Sequence, residues 1–383
     1  MARALYIHWP FCLAKCPYCD FNSHVRDSVD AELWQRALLA DLRHEAGLAG
    51  GEALESVFFG GGTPSLMPPG LVNSLLQEAE KLWGFSPGIE ITLEANPSSV
   101  EASKFADLVS AGVNRVSLGL QSLDDKALQF LGRLHGVEEG LKALETAQAV
   151  FNRVSFDLIY ALPGQSAQHW REQLQRALSF GTEHLSLYQL TIEPGTRFES
   201  MVRREEFTPL DDDEAADLFN VTRELTSAAG LPAYEISNHA RPGEESRHNL
   251  TYWRYDDYAG IGPGAHGRRN GFATTRHKKP ENWLAAVDRN GNGLQEERAL
   301  GVSEQAAEAL LMGLRLAEGI DLARSSARFA MPEAALLDLN QVERHAQLGL
   351  VWRDGSRVGV TEAGMPLLDA LLALLVADDL VAV

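Results

Sequence analysis

The chain of 383 residues sets 53 acidic against 34 basic side chains, a formal net charge of −19, and so lacks the basic footprint of a nucleic-acid binder. Its 45% hydrophobic and 23% charged content excludes a disordered or fibrous chain and leaves length for two or three domains. The opening MARALYIHWPFC shows neither an apolar h-region nor a small-residue cleavage site, and no stretch reaches the roughly 20 apolar residues of a spanning helix; a cytoplasmic location is expected. All three cysteines fall between positions 12 and 19, and in a reduced compartment such clustering favours metal ligation over disulfides.

In chain order, short β-rich runs are predicted at Leu5 to Trp9, Ser56 to Phe59, Ile89 to Ala95, Arg115 to Gln121, Arg153 to Tyr160 and His184 to Thr191. Between them apolar residues recur three and four apart, as in Trp34, Leu38 and Leu42, or Val137, Leu141, Leu144 and Phe151, the period of a helix with one buried face. Alternating strands and helices favour a parallel sheet. Six units suit an α/β fold of the incomplete (β/α)6, TIM-like type, with a doubly wound sheet as the alternative. A helix is predicted from Asp212 to Ala229, with Asp211 or Asp212 as its cap and the acidic run 211–214 as a solvated helix start. An irregular, Gly- and aromatic-rich stretch follows to about Lys279.

Near Gly301 the chain becomes Ala- and Leu-rich; Asp354-Gly355 between apolar runs signals a hairpin, and a helix is predicted from Glu362 to Val376. This outline is winged-helix-like, and in so acidic a chain it reads as a docking or lid module rather than a DNA-binding one. The expected organisation is a barrel domain over 1–230, a connecting segment over 231–300 and a C-terminal winged-helix-like helical domain over 301–383.

Cys12, Cys16 and Cys19 form C-x3-C-x2-C directly after the first strand. A structural zinc site or an ordinary electron-transfer cluster takes four protein ligands. Three leave one iron of a cluster open to the amine and carboxylate of an amino acid. The competing readings are zinc completed by His8 or His24, or three unligated buried cysteines. Gly60, Gly61 and Gly62 end the second strand, where missing side chains admit a ligand or simply permit a tight turn before Pro64, and Thr63 adds a hydroxyl. Glu94 ends the third strand, Gln121 the fourth, and Asp157 lies in the fifth; strand C-termini are where such sheets place function. Tyr6 and His8 alternate onto one face of the first strand. His248, Asn249, Tyr252 and Trp253 make up HNxxYW, with His248 and Tyr252 on one face if helical. Imidazole and tyrosinate can ligate haem iron, and indole can stack on a macrocycle. Gly262, Gly264 and Gly267 spell G-x-G-x-x-G, but a dinucleotide loop needs a strand before and a helix after, and neither is predicted.

LYIHWPFCLAKCPYCDFNSH resembles the signature of the radical S-adenosylmethionine superfamily, in the branch of oxygen-independent coproporphyrinogen III oxidases and HemW-type haem chaperones. FGGGTPSL, TLEANP, GLQS, LGRLHG, FDLIYALPGQ and RHNLTYW follow in the same order, so the resemblance covers nearly the whole chain. It implies a 4Fe-4S cluster on Cys12, Cys16 and Cys19, and S-adenosylmethionine contacted by Tyr6, Tyr18, Gly61, Gly62, Thr63, Glu94, Gln121, Arg133 and Asp157. It also implies haem at His248, Tyr252 and Trp253, since HNxxYW marks the chaperone subgroup.

The oxidase pattern carries a fourth cysteine two places after the third, where this chain has Phe21, and a segment ahead of the first strand. Both departures point to the chaperone. The resemblance thus implies haem transfer to an apo-haemoprotein and an electron donor for the cluster; a transient membrane-protein partner and a homodimer are compatible with it. The alternative is oxidative decarboxylation of coproporphyrinogen III to protoporphyrinogen IX.

Overall fold

A computed structural model describes residues 2–381 apart from Asp27 and Gly50. Six strands, β1 (Ala4–Trp9), β2 (Leu54–Gly61), β3 (Phe85–Ala95), β4 (Arg115–Gln121), β5 (Arg153–Tyr160) and β6 (His184–Gln189), lie side by side in chain order, all parallel. The order never reverses, so there is no switch point of a doubly wound sheet. The result is an open, incomplete (β/α)6 barrel.

Each strand follows the period of two. Leu5, Ile7, Val57, Phe59, Leu93, Val116, Leu118, Phe156 and Leu185 share one buried core with Leu38, Leu42, Leu75, Leu144 and Leu174 of the covering helices. The alternate positions, Tyr6, Thr92, Glu94, Arg115, Ser117, Ser155, Asp157 and Ser186, form a polar inner face. Helix Asp212–Ala228 begins as expected, the Asp211 carboxylate accepting from the Glu214 amide at 2.8 Å.

The stretch expected to be irregular extends the sheet at both edges. β7 (Asn238–Ala240) pairs antiparallel with β6. β8 (Tyr258–Ile261) pairs parallel with β1, and β9 (His266–Arg269), β10 (Phe272–Arg276) and β11 (Leu294–Ala299) continue antiparallel. Asn270-Gly271, with φ of 51° and 78°, is the two-residue turn between β9 and β10. A strand therefore does precede Gly262, contrary to expectation, but a strand and not a helix follows, and a dinucleotide loop stays excluded.

This extension is anchored by buried ions. Arg276 donates from Nε to Asp41 at 2.9 Å and from Nη2 to Glu45 at 2.8 Å, while Arg269 Nε reaches Glu45 at 2.7 Å. Asp41 and Glu45 lie on helix Ala31–Ala49, so the network clamps that helix to β9 and β10.

The C-terminal part builds a second core around Leu310, Leu336, Val342, Val358 and Leu372. A small sheet of β12 (Ile320–Asp321), β13 (Val351–Asp354) and β14 (Arg357–Val360) carries the expected hairpin, its two-residue loop at Gly355-Ser356 while Asp354 still pairs with Arg357. The helix predicted from Glu362 starts later, at Leu368, and ends at Leu375. A Cβ on Gly364 would stand 2.1 Å from the Leu350 carbonyl oxygen, and Pro366 falls in a preceding 3-10 turn, so residues 362–367 cannot run on as α-helix.

Candidate functional site

The cysteine loop springs from the C-terminal end of β1. Cys12, Cys16 and Cys19 are free and half-buried. A buried and a half-buried donor approach two of the sulfurs: Thr63 Oγ1 donates to Cys12 Sγ at 3.5 Å, and Arg133 Nη1 donates to Cys16 Sγ at 3.4 Å. The same Nη1 reaches the Tyr18 hydroxyl at 3.4 Å, and Nη2 donates to Asn96 Oδ1 at 2.6 Å and to the Gly119 carbonyl at 3.0 Å. Asn96 Nδ2 donates back to Thr63 Oγ1 at 3.1 Å. One belt, Cys12–Thr63–Asn96–Arg133–Cys16, thus ties the loop to the ends of β2, β3 and β4. Burial pushes the Cys12 and Cys19 thiols up.

Among the described residues no three His, Cys, Asp or Glu side chains are drawn together tightly enough for a single metal ion. The zinc reading through His8 also fails on its hydrogen bonds. His8 Nε2 donates to the Asn22 carbonyl at 2.9 Å and Nδ1 accepts from the Tyr6 hydroxyl at 2.9 Å, so neither nitrogen is free. Burial lowers its pKa to about 4 and keeps it neutral. His24 Nε2 faces Asn22 Oδ1 at 3.3 Å. Three thiols on one loop with hydroxyl and guanidinium donors behind them fit a cluster held by three thiolates.

The glycines are spoken for by the fold. Gly61 has φ of +113°, and a Cβ there would lie 2.6 Å from the His8 ring; a Cβ on Gly62 would lie 2.7 Å from the Phe11 carbonyl oxygen. The Gly62 and Thr63 amides donate to the Trp9 and Phe11 carbonyls at 2.7 and 2.8 Å. The space left by the absent side chains is filled by the root of the cysteine loop. Gly262 and Gly264 do likewise, against the His8 carbonyl and the Asn22 amide at 2.4 Å each. The G-x-G spacing therefore serves close packing around that loop.

Below the belt, Glu94 and Asp157 face each other from β3 and β5. Burial first, then the Asp157 charge, raise the Glu94 pKa to about 8 against a bond from the Gly61 amide. Burial raises Asp157 to about 6, opposed by hydrogen bonds from Ser186 and Ser117, the latter at 3.2 Å. Like-charged, desolvated carboxyls at a barrel mouth mark a functional site. Ser155 Oγ donates to Ser117 Oγ at 2.9 Å and Arg115 Nη2 to Ser155 Oγ at 3.0 Å, continuing the polar row down the axis. Gln121 holds φ of +66° at the end of β4, a strained backbone that only a surrounding structure maintains. A separate cavity of about 530 Å3 beside the mouth is lined by Lys126, Phe130, Leu162 and His169, and none of the expected site residues lines it.

HNxxYW sits at the opposite end. Residues Arg247–Trp253 form a helix capped by Ser246, whose Oγ accepts from the Asn249 amide at 3.3 Å. His248 and Tyr252 do share a face, joined at 2.7 Å between Nε2 and the hydroxyl. His248 Nδ1 meets Ser56 Oγ, near the start of β2, at 3.2 Å, and its ring stacks on Phe58 at 4.8 Å. The motif plugs the barrel floor. His248 is 2% exposed, burial lowers its pKa to about 3, and in this conformation both ring nitrogens are occupied. Tyr252 and Trp253 are both half-buried. The structure brings together the cysteines, Tyr18, Thr63, Arg133, Glu94 and Asp157 at the mouth; Tyr6 lies between mouth and floor, its ring stacked 6.1 Å from His248.

Sequence reasoning missed Asn96, Asn22 and the inner serines. The polar residues at every second position of RVSLGLQ and RVSFDLIY were the available signal for an inward polar face.

Comparison with known proteins agrees with this geometry. Residues 6–177 match the Radical SAM superfamily and residues 302–367 the HemN C-terminal domain. The chain is 37% identical over 382 residues to the protein named heme chaperone HemW of Escherichia coli, covering 98% of each. It is 39% identical to mouse radical S-adenosyl methionine domain-containing protein 1, mitochondrial, over 96% of this chain and 86% of that one. Its fold is similar to that of Escherichia coli coproporphyrinogen III oxidase (HemN), described as a radical SAM enzyme, with a TM-score of 0.81, 22% identity and coverage of 97% and 89%. A three-cysteine loop at the mouth of an incomplete barrel, a HemN-type C-terminal domain and relatives named HemW that match nearly the whole chain place it in the HemW family of the radical S-adenosylmethionine superfamily.

Proposed function

We propose that this protein is a haem chaperone: it holds a 4Fe-4S cluster on Cys12, Cys16 and Cys19, binds S-adenosylmethionine in the mouth, binds haem and passes it to apo-haemoproteins. The observation that carries the reading is Phe21. It stands two places after the third cysteine, 63% exposed, where a porphyrinogen decarboxylase pattern would have a fourth thiol, and the relatives named HemW share the full length of the chain.

When bound, the cluster supplies an electron able to break a carbon–sulfur bond of S-adenosylmethionine. The chain's own residues do the rest. Thr63 and Arg133 orient and charge-balance the sulfurs. Tyr6, Tyr18 and Gln121 border the nucleoside space, the Gly61 and Gly62 backbone faces the ligand's amino-acid end, and Glu94 and Asp157 accept hydrogen bonds from its amine or hydroxyls. Glu94 is mostly protonated at neutral pH and so donates as well. The HNxxYW helix closes the floor against water, and an iron bond from His248 would require giving up Ser56 or Tyr252. Thiols that hold a cluster suit a reducing compartment, and a cytoplasmic location is consistent with that.

Anaerobic haemin titration of the cluster-reconstituted protein, followed by mixing with an apo-haemoprotein, tests the reading. Near-stoichiometric uptake and transfer are expected. No uptake, or carbon dioxide released from coproporphyrinogen III with S-adenosylmethionine and reductant, overturns it in favour of the decarboxylase. Replacing all three cysteines must abolish the cluster's absorption and EPR signals.

A further inference from the structure

If haem binds, the buried floor offers it no free nitrogen, whereas the mouth does. His266 begins β9 at the same end of the sheet as the cysteine loop. In the register β1–β8–β9 it lies in the row of Tyr6 and Gly260, on the inner face. Its side chain is exposed and makes no hydrogen bond or ion pair with another described residue. A Cβ on Gly260 would strike the His266 carbonyl, so the missing side chain is what lets β8 and β9 approach closely where His266 begins.

The segment that carries His266 is sewn to the cysteine loop. Asn22 Nδ2 donates to the Pro263 carbonyl at 2.8 Å and to the Lys278 carbonyl at 2.9 Å, and the Gly264 amide donates to the His277 carbonyl at 3.0 Å. The composite rim presents Phe21 and Val25, 63% and 45% exposed, together with exposed Lys15 and Lys278. Exposed Asp20 adjoins Phe21 and Arg26 is paired with Glu281 there, while Lys15 and Lys278 make no ion pair with a described residue and stand beside the apolar side chains. Flat apolar area flanked by cations is the complement of a tetrapyrrole bearing carboxylates.

We propose that haem docks on this rim, with His266 as axial ligand to the iron, Phe21 and Val25 against the macrocycle, and Lys15 and Lys278 on the propionates. Partial desolvation by the surrounding chain, and then the neighbouring Lys278 ammonium, hold the His266 pKa below the usual imidazole range although its edge faces solvent, which leaves a lone pair free for a metal at neutral pH. The inference rests on the haem-chaperone reading and assigns it a place.

The test is an anaerobic haemin titration of the cluster-loaded protein with His266→Ala, His266→Tyr, Lys278→Glu and His248→Ala in parallel. His266→Ala should weaken binding by at least about tenfold and move the Soret band. His266→Tyr should recover binding with a tyrosinate-type spectrum, which a merely structural role would not produce. Lys278→Glu should weaken binding most at low salt. Equal binding and spectra in both His266 variants, with loss only in His248→Ala, would put the iron on the floor and overturn the proposal. Haemin binding unaffected by Lys278→Glu while transfer to the apo-haemoprotein slows would assign the rim to a protein partner, and overturns it too. No binding by the unmodified protein would instead reject the chaperone reading itself.

Discussion

Glu94→Gln separates the electrostatics of the mouth from its packing. The Glu94 carboxyl titrates at about 8 in the folded chain against 4.5 unfolded. Folding therefore takes up a proton at neutral pH, and stability falls as pH rises from the unfolded value through the folded one. At about 1.4 kcal/mol per pH unit, the full titration is worth about 5 kcal/mol, and about 4 kcal/mol of it is lost between about pH 5 and about pH 9. Glutamine keeps an oxygen for the Gly61 amide and cannot ionise, so the variant should escape that loss. It should match or modestly trail the wild type at pH 5, where the carboxyl is protonated, and exceed it at pH 9. Urea unfolding of the cluster-free protein, followed by tryptophan fluorescence at both pH values, measures the difference. Parallel pH profiles for the two proteins would show that Glu94 ionises freely and that the mouth is wetter than its geometry implies.

Arg133→Lys keeps the charge but loses the fork that reaches Cys16, Tyr18, Asn96 and Gly119 at once; the cluster should bleach faster under a chelator, with little change in thermal midpoint. Gly62→Ala pushes a methyl to within 2.7 Å of the Phe11 carbonyl oxygen and should cost about 1–3 kcal/mol, together with cluster incorporation; unchanged iron content after reconstitution would refute the packing account. Arg276→Met strands Asp41 in the core without a cation and leaves Glu45 with Arg269 alone, and a loss of about 3–5 kcal/mol is expected, seen as a lower thermal midpoint in calorimetry. His248→Phe removes both the Ser56 and Tyr252 hydrogen bonds and should destabilise the barrel by about 1–3 kcal/mol, whether or not haem is present.

The period of two in the strands and the unreversed order of strand-helix units were legible from residues alone, because local hydrophobic patterning fixes which face of each element is buried. The same holds for the Asp211 cap and the Asp354-Gly355 turn, which are decided within four residues. The three cysteines could also be read as one centre, since a loop of eight residues cannot separate them far. What the sequence did not disclose depends on distant partners. Gly61, Gly62, Gly262 and Gly264 read equally as ligand space or as packing until the chain brought Phe11, His8 and Asn22 against them. HNxxYW looked like an open iron ligand, and only the register of the sheet set Ser56 and Phe58 beside His248. Burial and hydrogen-bond satisfaction are properties of what surrounds a side chain, and those surroundings come from segments as many as 256 residues away. The sequence by itself determined which chemistry this protein carries; tertiary structure decided which of the candidate groups remain free to perform it.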